Sequence, residues 1–381
     1  MTETTAIARA RPLVPAWLVR AQLARAEHVT LAFFLYATIA AFVFHLDPRE
    51  LILIMTLNAL TLATQIALNR NRLRSPWLAP AADFFPALVI LAAYRETGLL
   101  LTPDTSHHLD YIFIEWDRLL LHNPLVEGVL QAGAPWLQHY LELAYLLCYP
   151  LVPLGAAAVC YAQMRGAAAV KSPPGAAPTS GWKRFRRHGQ SVQRAFLGYI
   201  GGDSGAKMQQ AMDDFWAVVL LATLCCYAVY PYFPLTPPRV LFGDVPGPHV
   251  DPLLRQLNFW LLDHYSVQAC IFPSGHVAAA TAVALAVRKR SPLLGRLFLF
   301  LAASVTVATI YGRYHYAADA FAGALVGVAA YNALKLFKRE RQIASSLISP
   351  QRNRAVEVRP RLSPIIARVC NCLFAGSNKS C

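Results

Sequence analysis

Eight mostly apolar runs alternate with polar stretches along the chain. They are Val29–Leu46, Leu51–Leu68, Asp83–Leu101, Trp136–Ala162, Phe215–Phe233, Pro273–Val287, Leu293–Tyr311 and Tyr316–Phe337. A helix that crosses a bilayer needs about 20 such residues. The pattern predicts an all-α, polytopic membrane protein with about eight transmembrane helices. Asp47-Pro48-Arg49-Glu50 forms a tight turn between the first two. Asn58 and Gln65 interrupt the second run and are expected to face other helices rather than lipid. Arg95 and Glu96 interrupt the third; they are expected to pair with each other or with polar groups of neighbouring helices. In the fourth run, Glu142, Tyr145 and Tyr149 follow helical spacing, and Pro150 and Pro153 predict a kink. That polar stripe suits either a substrate head group or bonds between helices. The stretch Ile112–Leu121 is a candidate amphipathic helix lying on a membrane face.

Composition supports this reading. The chain has 381 residues, 56% hydrophobic and only 15% charged. A soluble domain carries about 25% charged residues. The net charge of +14 does not call for nucleic acid, because the basic residues fall in short blocks between apolar runs. Basic loops mark the cytoplasmic side of a membrane. Arg70–Arg74, Lys183–Arg187 and Arg288–Arg296 then all lie there with both termini, while Arg239, His276, His315 and Asp319 gather on the opposite face. The expected domains are a cytoplasmic segment 1–28, two additional helices in 29–80, a membrane domain 81–337 with a cytoplasmic linker 163–207, and a disordered basic tail 338–381. The site would face the periplasm of a bacterial inner membrane or, in a eukaryote, a lumen. The eight cysteines form no disulfide pattern. His107-His108 and Cys370-x-Cys372 are read as solvated residues rather than metal ligands.

Chemistry concentrates between Phe272 and Asp319. The stretch opens with Pro273-Ser274-Gly275-His276 and closes with Arg313-Tyr314-His315 and Asp319. Two apolar runs joined by a basic turn would bring His276 and His315 to one membrane face. Asp319 stands four residues beyond His315, on the same side of a helix. Two histidines and a carboxylate suit phosphoryl transfer through a histidine nucleophile. His315 would attack, Asp319 would hold its ring, and His276 would serve as acid and then base. Ser274 and Gly275 at a helix start could cradle anionic oxygens, and Arg239 and Arg313 are the fixed positive charges. A zinc site from the same three residues is chemically allowed, but phosphohistidine chemistry accounts for more of the neighbouring residues. The reading therefore takes no metal and no cofactor.

Pro-Ser-Gly-His, followed some forty residues later by His-x3-Asp and preceded by Pro237-Pro238-Arg239, resembles the type 2 phosphatidic acid phosphatase superfamily. The resemblance covers about a third of the chain, Phe215–Phe337. It implies a six-helix core, no metal requirement, and the roles given above. Two departures stand out. Phosphatase members carry Lys-x6-Arg-Pro and Ser-Arg-x5-His-x3-Asp; here Tyr232 and Val240 replace the lysine and proline, and Ala308 and Thr309 replace the Ser-Arg pair. Arg313 is the candidate substitute for the lost arginine. Loss of cationic ligands with the histidines kept resembles the inositolphosphotransferase branch, which includes inositol phosphorylceramide synthases. The implied partner is a lipid phosphate within the bilayer. A simple lipid phosphatase, acting on phosphatidic acid or a polyprenyl pyrophosphate, and a non-catalytic lipid-binding or transport module are the alternatives. Donor, acceptor and oligomeric state are not legible.

Overall fold

The computed structural model describes residues 23–75, 77–101, 107–122, 134–170, 202–243, 253–267 and 270–348. Most of the expected linker and tail, and residues 1–22, lie outside them. The chain divides into two compact units, Met1–Lys335 and Leu336–Cys381. The second contains the last turns of the final described helix, and the site lies wholly in the first.

The described residues form twelve α-helices. They are α1 (Arg25–Val43), α2 (Pro48–Asn71), α3 (Leu78–Leu99), α4 (His107–Leu121), α5 (Pro135–Leu146), α6 (Cys148–Val170), α7 (Gly202–Val229), α8 (Pro238–Leu241), α9 (Leu253–Tyr265), α10 (Gly275–Arg288), α11 (Pro292–Tyr311) and α12 (Ala317–Ile348). A 3₁₀ turn at Tyr230–Tyr232 follows α7, and two-residue strands β1 (Pro234–Leu235) and β2 (Cys270–Ile271) pair antiparallel. Among the described residues, six helices are long and apolar enough to cross a membrane. The pair α5–α6, bent by 63°, makes a seventh if it is one broken span. The remaining apolar run, Pro273–Val287, is α10, only 14 residues long. The protein is thus an all-α, polytopic membrane protein.

The bend in the fourth span falls at Leu147, ahead of the two prolines expected to cause it. Proline acts on the preceding turn: Pro150 has no N–H for the Leu146 carbonyl, and its ring crowds that oxygen. Pro153 stays inside α6. Arg95 and Glu96 are not paired with each other. Glu96 is buried and Arg95 exposed, because consecutive helix positions point about 100° apart. The Asn58 side chain of α2 faces the Glu96 carboxyl. Asn58 and Gln65 are buried.

The bundle is centred on α7. Of its most apolar window 72% is buried, against 17% for α2 at the edge. Trp216 anchors it to α3 by donating its indole N–H to the Asp83 carbonyl at 2.6 Å. Helix α10 packs on α7 and α11 through an alanine-rich surface, including Ala278, Ala280, Ala282 and Ala284. Helix α12 approaches α10 at Gly323 and Gly327. A methyl group at either would strike the carbonyl of Ser274 or Ala278. Small residues four apart let two helix backbones come close. Here the close approach carries the start of α12 to the start of α10.

Candidate active site

Three separate segments meet beyond the ends of α7, α10 and α11, and main-chain contacts lace them together. Pairing of β1 with β2 sets Pro234 opposite Ile271 and Leu235 opposite Cys270, which joins the segment leading to Arg239 to the one leading to His276. The Arg239 amide donates to the Arg313 carbonyl at 2.9 Å. The Ser274 amide donates to the Asp319 carbonyl at 3.2 Å. Each pair of segments is therefore joined by a main-chain contact.

The third segment turns sharply after α11. Arg313 adopts φ 58°, in the left-handed region. The amides of Tyr314 and His315 both donate to the Thr309 carbonyl, at 2.9 and 3.1 Å. The chain thus doubles back on the last turn of α11, and His315 leaves it towards α10. Its Nδ1 lies 2.5 Å from Oδ2 of the fully buried Asp319. Its Nε2 lies 3.5 Å from Nδ1 of His276. A proton on Nδ1 of each ring satisfies both contacts. His315 then donates to Asp319 and presents a lone pair on Nε2, and His276 donates to that lone pair.

Tyrosines wall the pair. Tyr145 and Tyr149 meet the His276 ring edge-on, with centroids 6.1 and 5.8 Å away. Tyr145 also stacks on Tyr314 at 3.7 Å. The half-buried Arg239 acts electrostatically on both Tyr145 and Tyr149. Its guanidinium has no hydrogen bond or ion pair among the described residues.

The other expected phosphate ligands are placed differently. The Gly275 amide is engaged by the Tyr230 hydroxyl at 2.9 Å, and Ser274 uses its amide on Asp319 and its hydroxyl on the Val277 amide. Both amides are thus engaged in assembling the segment, while the Ser274 hydroxyl, an acceptor here, keeps its own O–H. Arg313 donates from Nη1 to the Phe242 carbonyl at 3.2 Å. Burial, and the nearby Arg255 charge, pull its pKa below the usual arginine value. The substitutes in the lost positions do not reach the pair. Tyr232 is 54% exposed and packs on Phe44, and Thr309 is buried with its hydroxyl on the Thr306 carbonyl.

Two features escape sequence reading. The first is a saturated network on Glu142. Its Oε1 accepts from Arg255 at 2.7 Å, and its Oε2 accepts from Asn258 at 2.8 Å and the Tyr314 hydroxyl at 2.5 Å. Burial, with Glu142 beside it, raises the Tyr314 pKa. The only signal was the helical spacing of Glu142, Tyr145 and Tyr149. The second is Asp117 on α4, whose Oδ1 accepts from the amides of Ala317 and Ala318 at 2.8 and 3.2 Å. Burial raises its carboxyl to about 6, against the pull of those two amides and with a small push from Asp319. No local signal marks it, since its partners lie 200 residues away.

The fold and this end of the bundle define a membrane-embedded protein with a histidine–histidine–carboxylate cluster. Residues 205–333 match the family model of the PAP2 superfamily, a span that runs from α7 into α12 and contains all three segments. The match supports the type 2 phosphatidic acid phosphatase superfamily, and with it a phosphatase or phosphotransferase type of lipid enzyme, but no particular branch. No curated protein and no solved structure matches the chain.

Proposed function

We propose that the protein transfers or cleaves the phosphoryl-linked head group of a membrane lipid through a phosphohistidine on His315, in the manner of an inositolphosphotransferase. The observation that carries this is the chain Asp319–His315–His276 at 2.5 and 3.5 Å, walled by Tyr145 and Tyr149, on which an Arg239 guanidinium with no ion pair among the described residues acts. The Nε2 lone pair of His315 attacks phosphorus, and the bond from phosphorus to the leaving oxygen breaks. That oxygen takes the proton of His276. Asp319 stabilises the positive charge that grows on the His315 ring. An acceptor hydroxyl then gives its proton back to His276 and attacks the phosphohistidine, which frees His315. In-line displacement puts the leaving oxygen on the far side of phosphorus from Nε2, so substrate must part the 3.5 Å contact between the rings. Arg239 holds the phosphoryl oxygens.

Two lost cations favour a transferase, because a phosphodiester bears one negative charge where a phosphomonoester bears up to two. The second reading is a simple lipid phosphatase. It draws on Arg313, which stands on a left-handed turn rather than on a helix face and so keeps a second cation near the site. Purified protein incubated with labelled phosphatidylinositol, phosphatidic acid and undecaprenyl pyrophosphate separates the readings. Head-group transfer to an added lipid alcohol supports the first, and release to water alone supports the second. Loss of neither label in any arm would rule out both.

The site is proposed to open to the non-cytoplasmic side. Arg290, in the basic turn, sits at the end of α10 away from His276. A cysteine at exposed Tyr265 should react with an impermeant thiol reagent in intact cells, and one at Lys289 only after permeabilisation. The reverse pattern would invert the topology.

A further inference from the structure

We propose that Asp117 is a positioning residue for this reaction: through the first turn of α12 it sets where His315 and Asp319 stand. The inference rests on the phosphohistidine reading and extends it to a helix outside the matched region.

Helix α4 touches each of the three site segments. Asp110 accepts from the Thr236 amide at 2.9 Å, three residues before Arg239. Phe113 packs its ring against Phe272 at 5.2 Å and Tyr316 at 5.7 Å. Asp117 takes the amides of Ala317 and Ala318. Phe113, Leu235 and Tyr316 form a small buried cluster of their own, with Leu109, Ile114 and Phe272 packed around it. Helix α4 is thus a brace across the outside of the cluster.

The start of α12 needs that brace. The first amides of a helix have no partner within it and are normally met by a Ser, Thr, Asp or Asn side chain just before it. That position here is Tyr316, whose hydroxyl is directed to the Thr236 carbonyl at 3.1 Å. The cap is supplied instead from α4. His315 precedes the capped turn and Asp319 lies within it, so the two ends of their 2.5 Å contact hang on the turn that Asp117 pins. A buried carboxylate near a second carboxylate is electrostatically unfavourable, and such arrangements concentrate where geometry matters to chemistry.

The test compares Asp117→Ala, Asp117→Asn and Asp117→Glu in the purified full chain. One readout is turnover of the best substrate in the lipid panel. The other, independent of activity, is the downfield imidazole N–H proton of the His315–Asp319 contact, assigned by its loss in Asp319→Asn. Asparagine keeps the accepting oxygen in place, alanine removes it, and glutamate displaces it by one methylene. Misplacement of a reacting group by about 1 Å can cost about 10²-fold. We expect Asp117→Ala to lower kcat about tenfold to a hundredfold with KM within about twofold, and to shift or lose the proton signal. Asp117→Asn should keep both. If the alanine variant does not fold, Asp117→Glu should show the same loss in weaker form. An unshifted signal in Asp117→Ala or Asp117→Glu, or equal losses in Asp117→Asn and Asp117→Ala, would overturn the proposal. Turnover by His315→Ala would instead overturn the phosphohistidine reading and leave the spectroscopic result standing.

Discussion

The two ends of α10 handle charge in opposite ways. At the end near Arg290, two carboxylates gather three cations. Asp213 and Asp214 on α7 bind Arg25 of α1, and Asp214 also meets Arg290 at 3.0 Å and Lys289 at 3.8 Å. At the His276 end, Glu142 is fully engaged, yet the Arg239 guanidinium has no hydrogen bond or ion pair among the described residues. A half-buried guanidinium costs stability unless an anion meets it. The first end closes a bundle; the second, on the proposed reading, leaves a cation for a phosphate.

Variants can break this contrast. The largest effect is expected at the histidine pair. His315→Ala should lower turnover by about 10⁴-fold or more, and Asp319→Asn by about 10³–10⁴-fold, with the protein still inserted and folded. Near-normal turnover in either variant removes the assigned role. Arg239→Ala comes next, with a loss of about 10²–10³-fold, the size of one oxyanion-hole donor. Arg239→Lys should recover only part, since lysine cannot bind two phosphoryl oxygens as a planar fork. A loss below tenfold would mean that another group holds the phosphate.

The paired end should respond in stability instead. Asp214→Asn leaves Arg25 and Arg290 without one shared carboxylate and should cost about 1–3 kcal/mol, with kcat within twofold. A thermal melt beside a rate measurement decides this; a rate loss without a stability loss would erase the distinction between the ends. The smallest effect is expected for Arg313→Gly. Glycine adopts φ 58° without the steric cost borne by arginine, so stability should rise by about 1 kcal/mol. If the guanidinium also serves the phosphate, turnover should fall while stability rises. A rise in stability with unchanged turnover would assign Arg313 to the turn alone.

The sequence made the helices visible because each apolar run is bounded by charge or proline. It marked the fourth bend through Pro150, which disturbs the turn before it rather than its own position. It could not say that Arg95 and Glu96 diverge in burial, which depends on what packs against α3. At the site, His315 and Asp319 were legible because i and i+4 spacing is local. Their approach to His276 could be anticipated only from a hairpin of two apolar runs. Glu142–Arg255 and Asp117–Ala317 were not legible, because their partners lie 113 and 200 residues apart. Ser274 and Gly275 look like anion binders in sequence. The Tyr230 hydroxyl and the Asp319 carbonyl, which occupy their amides, come from other helices.

The lacing of the three segments is made by main-chain atoms, and this bears on how such a pocket changes over evolutionary time. Links made by amides and carbonyls do not depend on which side chains project from the linked residues. Tyrosine can stand at 232 and threonine at 309 while the Arg239–Arg313 and Ser274–Asp319 backbone links remain. A residue without an N–H, such as proline at 239 or 274, would cut one of these main-chain links. The cationic lining can therefore be rewritten residue by residue without dismantling the histidine pair, so a new head group can be admitted without a new fold.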